Sequence, residues 1–171
     1  IAAKAAAGQF IIIRIDEKGE RVPMTIADWD KNSITMVVTT AGDTSRAISK
    51  LNIGDEILDL AGPLGVPGVI KNYGTVVLVG AGSGTAAIHP DAKALKAAGN
   101  KVITIIGARS KDLLIWEDKM KLVSDELITI TDDGSSGKKG LVTDALKEIM
   151  AREKINHVIA IGPVIMMKFV S

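Results

Sequence analysis

Val76-Val77-Leu78-Val79-Gly80-Ala81-Gly82-Ser83-Gly84-Thr85 is an apolar run that breaks into alternating glycines and leads into Ala86-Ala87-Ile88-His89-Pro90-Asp91-Ala92. Aliphatic residues, then turn residues, then an alanine-rich stretch predict a strand, a tight turn and a helix. Bare backbone at such a turn lets amide N–H groups approach a phosphate, and the helix start adds about half a positive charge. A tight strand-to-helix connection with no ligand has the same local signature, so the spacing and the surroundings must decide. Glycines at 80, 82 and 84 with threonine at 85 depart from the usual dinucleotide fingerprint, G-x-G-x-x-G.

Downstream, strand-like and helix-like segments alternate. A strand is expected at Thr75–Val79, a helix at Thr85–Ala98, a strand at Lys101–Ile106, a helix near Leu113–Val123, a strand at Glu126–Thr131, a helix at Val142–Ala151 and a strand at His157–Ile161. That alternation predicts an α/β unit with a parallel sheet covered on both faces. Upstream the pattern is different. Short β-type runs at Phe10–Ile15, Arg21–Ala27, Ile34–Thr40 and Asp55–Leu60 are separated by Glu17-Lys18-Gly19, Asp30-Lys31-Asn32 and Asn52-Ile53-Gly54-Asp55, which predicts a small antiparallel β-barrel. Gly, Pro and Asn cluster near Val69–Gly74, so the expected division is residues 1–72 and 73–171. Ile1–Ala7 is five alanines in seven residues, and Ser171 falls where a helix after Gly162-Pro163 would begin. A fragment is therefore expected, incomplete at the N-terminus and truncated at the C-terminus.

With 47% hydrophobic and 24% charged residues, 171 residues suffice for one sizeable core or two small ones. Twenty-one basic against twenty acidic residues give a net charge of +1, which recruits neither nucleic acid nor an anionic membrane. Membrane insertion is not expected, for want of a long apolar run, and a cytoplasmic location is the default expectation. The absence of cysteine excludes a disulfide frame, a thiol nucleophile and a thiolate-held iron–sulfur cluster within these residues. Two histidines, His89 and His157, argue against a zinc site, and no metal-binding residue is expected.

Several further turns carry candidate chemistry. The second strand of the α/β unit ends in Ile106-Gly107-Ala108-Arg109-Ser110, where an ordinary dehydrogenase would place an acid for the ribose hydroxyls. A cation and a hydroxyl there suit a nucleotide phosphate better. The third strand runs into Thr131-Asp132-Asp133-Gly134-Ser135-Ser136-Gly137 and the fourth into Ile161-Gly162-Pro163-Val164-Ile165-Met166-Met167. In a parallel sheet all these turns fall on one edge, where ligands collect. Surface turns rich in Asp and Gly are common, and paired methionines also serve as core filling. In the barrel, Arg21-Val22-Pro23-Met24-Thr25 puts a cation, a rigid proline and a hydroxyl on one strand. The proline confines that strand to an edge or bulge. Gly42-Asp43-Thr44-Ser45-Arg46 places a glycine and two hydroxyls before a short helix, a second phosphate seat or an ordinary N-cap.

In their order these stretches resemble the ferredoxin reductase superfamily, in the branch of the electron-transfer subunit of dihydroorotate dehydrogenase and the alpha subunit of NADH-dependent ferredoxin:NADP oxidoreductase. The stretches that carry the likeness are Gly8-Gln9-Phe10, Arg21-Val22-Pro23-Met24-Thr25-Ile26, Gly42 to Ser45, Gly62-Pro63-Leu64-Gly65, Gly80 to Ala87, Thr131-Asp132-Asp133-Gly134-Ser135, and Gly162-Pro163 with Met166-Met167. The resemblance implies a flavoprotein with an FAD-binding barrel and an NAD(P)-binding α/β domain. Arg21, Pro23, Met24 and Thr25 would line the FAD, with Thr25 as the hydroxyl at the flavin's reactive nitrogen. Gly42, Thr44 and Ser45 would hold its pyrophosphate. Gly80, Gly82, Ser83, Gly84 and Thr85, with Arg109, Asp132, Gly134, Gly162 and Met166, would frame NAD(P)H. The resemblance also implies a larger redox partner subunit, ferredoxin as a possible partner, and a 2Fe–2S cluster whose cysteine ligands this chain lacks. Val22, Ala87 and Ile161 depart from the family, which more often has arginine, proline and cysteine at those places.

Three functions follow from these residues. An electron-transfer flavoprotein exchanges hydride between NAD(P)H and FAD. A nucleotide-sensing or scaffolding module keeps the fold without redox activity, as the departures and missing cysteines suggest. A conventional carbonyl dehydrogenase is disfavoured, because the glycine spacing, the ribose acid and a Tyr-x-x-x-Lys proton donor are all lacking. Arg109, Ser110 and Lys111 are candidates for a 2′-phosphate, and the sequence leaves NADH and NADPH both open.

Overall fold

The computed structural model describes every residue from Ile1 to Ser171. Contacts divide the chain into two units, Ile1–Gly68 and Val69–Ser171.

Unit 1 contains strands β1 (Phe10–Arg14), β2 (Val22–Thr25), β3 (Asp28–Trp29), β4 (Ile34–Thr35) and β5 (Asp59–Leu64), with helix α1 (Asp43–Ile48) before the last strand. All pairing is antiparallel. β1 lies between β2 and β5, while β3 and β4 pair separately. Alternation along Phe10-Ile11-Ile12-Ile13-Arg14 sends Ile11 and Ile13 into a core shared with Ile26. Pro23 and Pro63 both stand on the outer strands of this sheet, where only one side is paired.

The motif Gly8-Gln9-Phe10 turns out to tie this unit together. Gln9, buried, accepts the Ala6 N–H at 3.0 Å through Oε1 and donates Nε2 to the Gly65 carbonyl at 3.0 Å, while the Gly68 N–H donates to the Ala7 carbonyl at 2.9 Å. Gly62 and Gly65 are close-approach positions, since a Cβ there would meet Ile11 Cγ2 at 2.6 Å and the Phe10 ring at 3.0 Å.

Two strands differ from expectation. The run Ile34–Thr40 keeps only Ile34–Thr35 as strand, although Met36 still packs on the core. The run Asp55–Leu60 begins pairing only at Asp59 and continues through Leu64. Asp55 is held in a turn, its carboxylate accepting the Asn52 N–H at 2.7 Å and its own N–H donating to the Asn52 carbonyl at 3.0 Å.

Unit 2 runs β6 (Thr75–Ala81), α2 (Gly84–Ala97), β7 (Lys101–Ala108), α3 (Glu117–Val123), β8 (Glu126–Thr131), β9 (Lys138–Lys139), α4 (Val142–Arg152), β10 (His157–Ile161) and α5 (Val164–Val170). The strands form one parallel sheet in the order β10-β6-β7-β8-β9. Alternate side chains of β6 and β7 feed two cores. Val77, Val79, Ile103 and Ile105 meet Val142, Leu146 and Ile149 of α4 and Met166 of α5, whereas Val76, Leu78, Val102 and Ile106 meet Ile88, Ala92 and Leu95 of α2 and Met120 of α3. Helices therefore cover both faces, as alternating β and α patterns require.

Helix α3 starts four residues later than expected. Lys111–Leu113 forms a 3-10 turn, and Trp116 adopts the left-handed conformation at φ 57°, which an α-helix does not admit. The two-residue strand β9 was not anticipated, because Lys138-Lys139 carries no apolar signal. A polar staple joins α2 to the sheet: Lys96 Nζ donates to the Ser124 carbonyl at 2.8 Å and pairs with Asp125 at 3.3 Å, and Asp125 accepts the Val102 N–H at 2.8 Å. That N–H is the main cause holding the Asp125 carboxyl below its ordinary range. No helix is long and apolar enough to cross a membrane.

Candidate functional site

The parallel register sets the ends of the strands level. Gly80 pairs with Ile161, Ala81 with Gly107, and Ala108 with Thr131. The turns after β6, β7, β8 and β10 therefore share one edge of the sheet, and they are joined to one another. The Gly82 N–H donates to the Gly107 carbonyl at 3.0 Å, the Asp132 N–H to Ala108 at 3.1 Å and the Asp133 N–H to Arg109 at 3.2 Å. The Lys111 N–H donates to Ser135 Oγ at 2.8 Å.

Each glycine of this edge has its own reason. A Cβ at Gly84 would lie 2.1 Å from the Ile161 carbonyl oxygen, so this residue lets α2 start against the turn that follows β10. A Cβ at Gly80 would meet Thr85 Cα at 2.8 Å, and one at Gly162 would meet Met166 Cε at 2.8 Å. Gly107 is closed by Val142 Cγ1 at 2.4 Å and Gly137 by the Thr129 carbonyl oxygen at 2.0 Å. Gly82 is the exception. It is exposed, has φ +56°, and nothing lies within 4 Å of where its Cβ would be. Thr85, Ala86 and Ala87 direct their N–H groups back to the carbonyls of Gly82 and Ser83. Gly82 and exposed Ser83 thus present open backbone at the start of a fourteen-residue helix, although the Gly82 N–H is itself taken by the Gly107 carbonyl. Thr85 is buried behind them.

In the second loop, the buried Thr131 hydroxyl donates to the Ser136 carbonyl at 2.7 Å and accepts the Ser136 N–H at 3.1 Å. Gly134, at φ +80°, lies against Lys139, with 3.0 Å between its virtual Cβ and that side chain. Asp132 and Arg109 are exposed on adjacent turns. The Asp133 carboxyl is held below its ordinary range, chiefly by the Ser135 hydroxyl. Met166 is buried in the core beneath Gly162, while Met167 is exposed.

In unit 1 the alternation of β2 separates the candidates. Arg21, Pro23 and Thr25 share the exposed face, and Met24 turns inward with Val22 onto the core. Arg21 pairs with Asp59 at 2.9 Å. Thr44 Oγ1 donates to Glu20 at 3.4 Å, which brings the start of α1 beside the start of β2. Gly42 is exposed with nothing within 4 Å of a Cβ. The Ser45 hydroxyl is engaged locally, accepting the Ala41 and Gly42 N–H groups at 2.9 Å each and donating to the Gly42 carbonyl at 2.9 Å.

Two residues near the edge escaped the sequence analysis. Asp91 on α2 is buried, and loss of water raises its carboxyl to about 6. The signal was available: it falls among Ile88, Ala92 and Leu95 at helical spacing. Trp116 meets the His89 ring edge-on at 5.2 Å between centroids and carries the Lys119 ammonium 4.3 Å from its own centroid. Its left-handed backbone had no sequence signal.

No family model matches the chain. A Thermotoga maritima protein described as a dihydroorotate dehydrogenase B (NAD(+)) electron transfer subunit homolog is 50% identical over 171 residues, covering 99% of this chain and 60% of that protein. The corresponding subunit of Fusobacterium nucleatum is 35% identical over 172 residues, covering 94% and 65%. Among solved structures, that of an NADH-dependent reduced ferredoxin-NADP oxidoreductase, described for flavin-based electron bifurcation, superposes with a TM-score of 0.92 at 48% identity, covering 99% of this chain and 62% of that one. The chain belongs to the ferredoxin reductase superfamily. Within it the relatives are electron-transfer subunits and the oxidoreductase just described, the branch that Thr131-Asp132-Asp133-Gly134-Ser135 and Arg21 to Ile26 resemble. The order of an antiparallel unit followed by a five-stranded parallel unit is the family's two-domain arrangement. The chain spans about 60% of the length of these relatives.

Proposed function

We propose that this chain is part of an electron-transfer flavoprotein subunit that carries FAD on unit 1 and NAD(P)H on unit 2, exchanges hydride between them and passes electrons singly to an iron–sulfur centre and a larger partner subunit, with ferredoxin as a further partner. The observation that carries it is the convergence of four turns on one edge of a parallel sheet, with Gly82 as the single open glycine among closed ones. A dinucleotide pyrophosphate is held by backbone at a helix start, and the exposed turn Gly82-Ser83 before α2 is where this edge offers it.

Both groups fit the residues present. For the nucleotide, Gly82 and Ser83 offer exposed backbone, and Gly80, Gly84 and Thr85 shape the turn behind them. Arg109, Asp132 and Gly134 on the adjoining turns would frame the nucleotide, and Gly162 brings the last turn close, with Met166 supporting it from the core. For FAD, the exposed row Arg21, Pro23 and Thr25 on an outer strand offers a surface for an extended ligand, and Thr25 supplies a hydroxyl donor to the flavin ring. Gly42 and Thr44 are the pyrophosphate seat; Ser45 shapes it through its hydrogen bonds, and Met24 backs the row from the core. FAD supplies the chemistry no side chain has, accepting a hydride and releasing electrons one at a time. The protein's part is to hold, orient and exclude water. These 171 residues contain no cysteine, so none of them would be a thiolate ligand of such a centre.

The test is the visible spectrum of the FAD-loaded protein under anaerobic conditions, before and after NADH and then NADPH. Flavin bands that bleach on addition are expected, and the nucleotide that bleaches them faster is the physiological donor. A protein that takes up no FAD, or whose flavin neither nucleotide bleaches, overturns the proposal.

A further inference from the structure

Three charged residues meet at one end of the sheet β2-β1-β5 in unit 1. The register sets Arg14 of β1 opposite Asp59 of β5 and Ile13 opposite Val22, so Arg21, which precedes Val22, falls beside Arg14. Side chains at facing positions of neighbouring strands stand on the same side of a sheet. For Arg14 and Arg21 that is the outer side, which also carries Pro23 and Thr25. Both guanidinium groups turn to one carboxylate oxygen, Asp59 Oδ2, which lies 2.9 Å from Arg21 and 3.7 Å from Arg14.

The two arginines differ in what else they hold. Arg14, with 22% of its side chain exposed, donates Nε to the Gly19 carbonyl at 3.2 Å and a terminal nitrogen to the Glu17 carbonyl, so the turn between β1 and β2 fixes it. Asp59 stands between at 45%, and Arg21 is outermost at 63%. The bond to Asp59 is the only one the Arg21 side chain makes, and it leaves most of the guanidinium donors free. A planar fork held along one edge points its other donors in a set direction. Thr44 marks what lies there: its hydroxyl donates to Glu20, the neighbour of Arg21, so the proposed pyrophosphate seat is beside this arginine.

We infer that Asp59 is a positioning residue for FAD: it acts through Arg21, keeping the guanidinium ordered beside the pyrophosphate, while Arg14 and the carbonyls of its turn hold Asp59 in place. The inference rests on the FAD placement proposed above. Two effects oppose each other. Asp59 is an anion near an anionic ligand, and by charge alone its removal favours binding. It also orders a long, exposed side chain whose freedom the ligand would otherwise have to remove on binding. The repulsion acts across the intervening guanidinium and through solvent that screens it, so the ordering is the larger effect.

The experiment is a double-mutant cycle on FAD affinity, with FAD titrated into the flavin-free chain and its fluorescence followed, for wild type, Asp59→Asn, Arg21→Ala and the double variant. Arg21→Ala should weaken binding about tenfold and Asp59→Asn about fivefold. In the Arg21→Ala background, Asp59→Asn should leave affinity unchanged or raise it slightly, because only the like charge is then lost. An equal loss in both backgrounds would mean a structural role and overturns the inference, as does an Asp59→Asn that binds FAD as tightly as wild type or more tightly. Asp59 is nearly half-exposed, so the asparagine variant should fold; if it does not, Asp59→Ser takes its place in the same cycle. An Arg21→Ala that loses no affinity removes Arg21 from the FAD site, and the inference falls with it. A wild-type chain that takes up no FAD overturns the proposed function itself.

Discussion

The two units use the same small residue in opposite ways. In unit 2, glycines 80, 84, 107, 137 and 162 are closed: an added Cβ would meet a neighbour at 2.0–2.8 Å. They let strands, turns and helix starts crowd together, and only Gly82 faces open space. In unit 1, Gly62 and Gly65 are closed by neighbours at 2.6 and 3.0 Å, whereas Gly42, and Gly54 in the turn after Asn52, stand clear of everything within 4 Å. A glycine-rich motif is therefore two things at once, a set of packing devices and one or two open positions, and only the open ones have their freedom left for a ligand.

The sharpest break of that comparison is Gly84→Ala against Gly82→Ala. At Gly84 the methyl would have to share space with the Ile161 carbonyl, a contact of backbone with backbone that no rotamer relieves. A loss of about 3 kcal/mol or more is expected, with nucleotide binding lost through unfolding. At Gly82 the methyl meets nothing, and the cost is that of a left-handed conformation, about 1–2 kcal/mol. Gly82→Ala should therefore remain folded and still lose nucleotide affinity. Denaturant unfolding midpoints together with a nucleotide titration decide it; equal destabilisation by both changes would dissolve the distinction.

A second difference lies in what the two units bury. The core of unit 1 buries the amide of Gln9 but no ionisable side chain, while unit 2 buries Asp91 and His89 on α2. With its folded carboxyl raised from 3.8 to about 6, Asp91 contributes fully below pH 3.8 and loses that contribution as pH rises through about 6. At pH 8 the ionised carboxylate is a cost on the order of 2–3 kcal/mol. Asp91→Asn should then be more stable than wild type at pH 8 and nearly equal to it at pH 4. A stability difference that stays constant between those two pH values would show that Asp91 is not ionising inside the protein.

Legibility followed the same line. The parallel unit was readable because period and punctuation agree: β8 and β10 carry their expected limits, and α2 and α4 fall within a residue of theirs. The convergence of turns followed from topology alone. What sequence could not supply was which glycines are closed, since that depends on Ile161, Val142 and Thr129 arriving from distant strands and helices. Nor could it show that Met24 and Met166 point into cores, because the flexible Met side chain suits core and ligand pocket equally. In unit 1 the strand limits slipped where side chains capture backbone, as Asp55 does with Asn52, and such local bonds compete with pairing without leaving a periodic trace.

Gly42 gives the smallest effect on stability and so the cleanest reading of the open class. Its φ of −129° is ordinary extended backbone, and its place before α1 is one where aspartate is a favoured cap. Gly42→Asp should leave the unfolding midpoint within about 0.5 kcal/mol of wild type or raise it slightly. The same change puts a carboxylate where the FAD pyrophosphate is proposed to lie, and repulsion of like charges should lower FAD affinity about tenfold or more. Flavin content after gel filtration and a flavin titration measure it. If affinity is unchanged, Gly42 is open for no ligand, the pyrophosphate seat moves elsewhere on that unit, and openness is a sign of function only at Gly82.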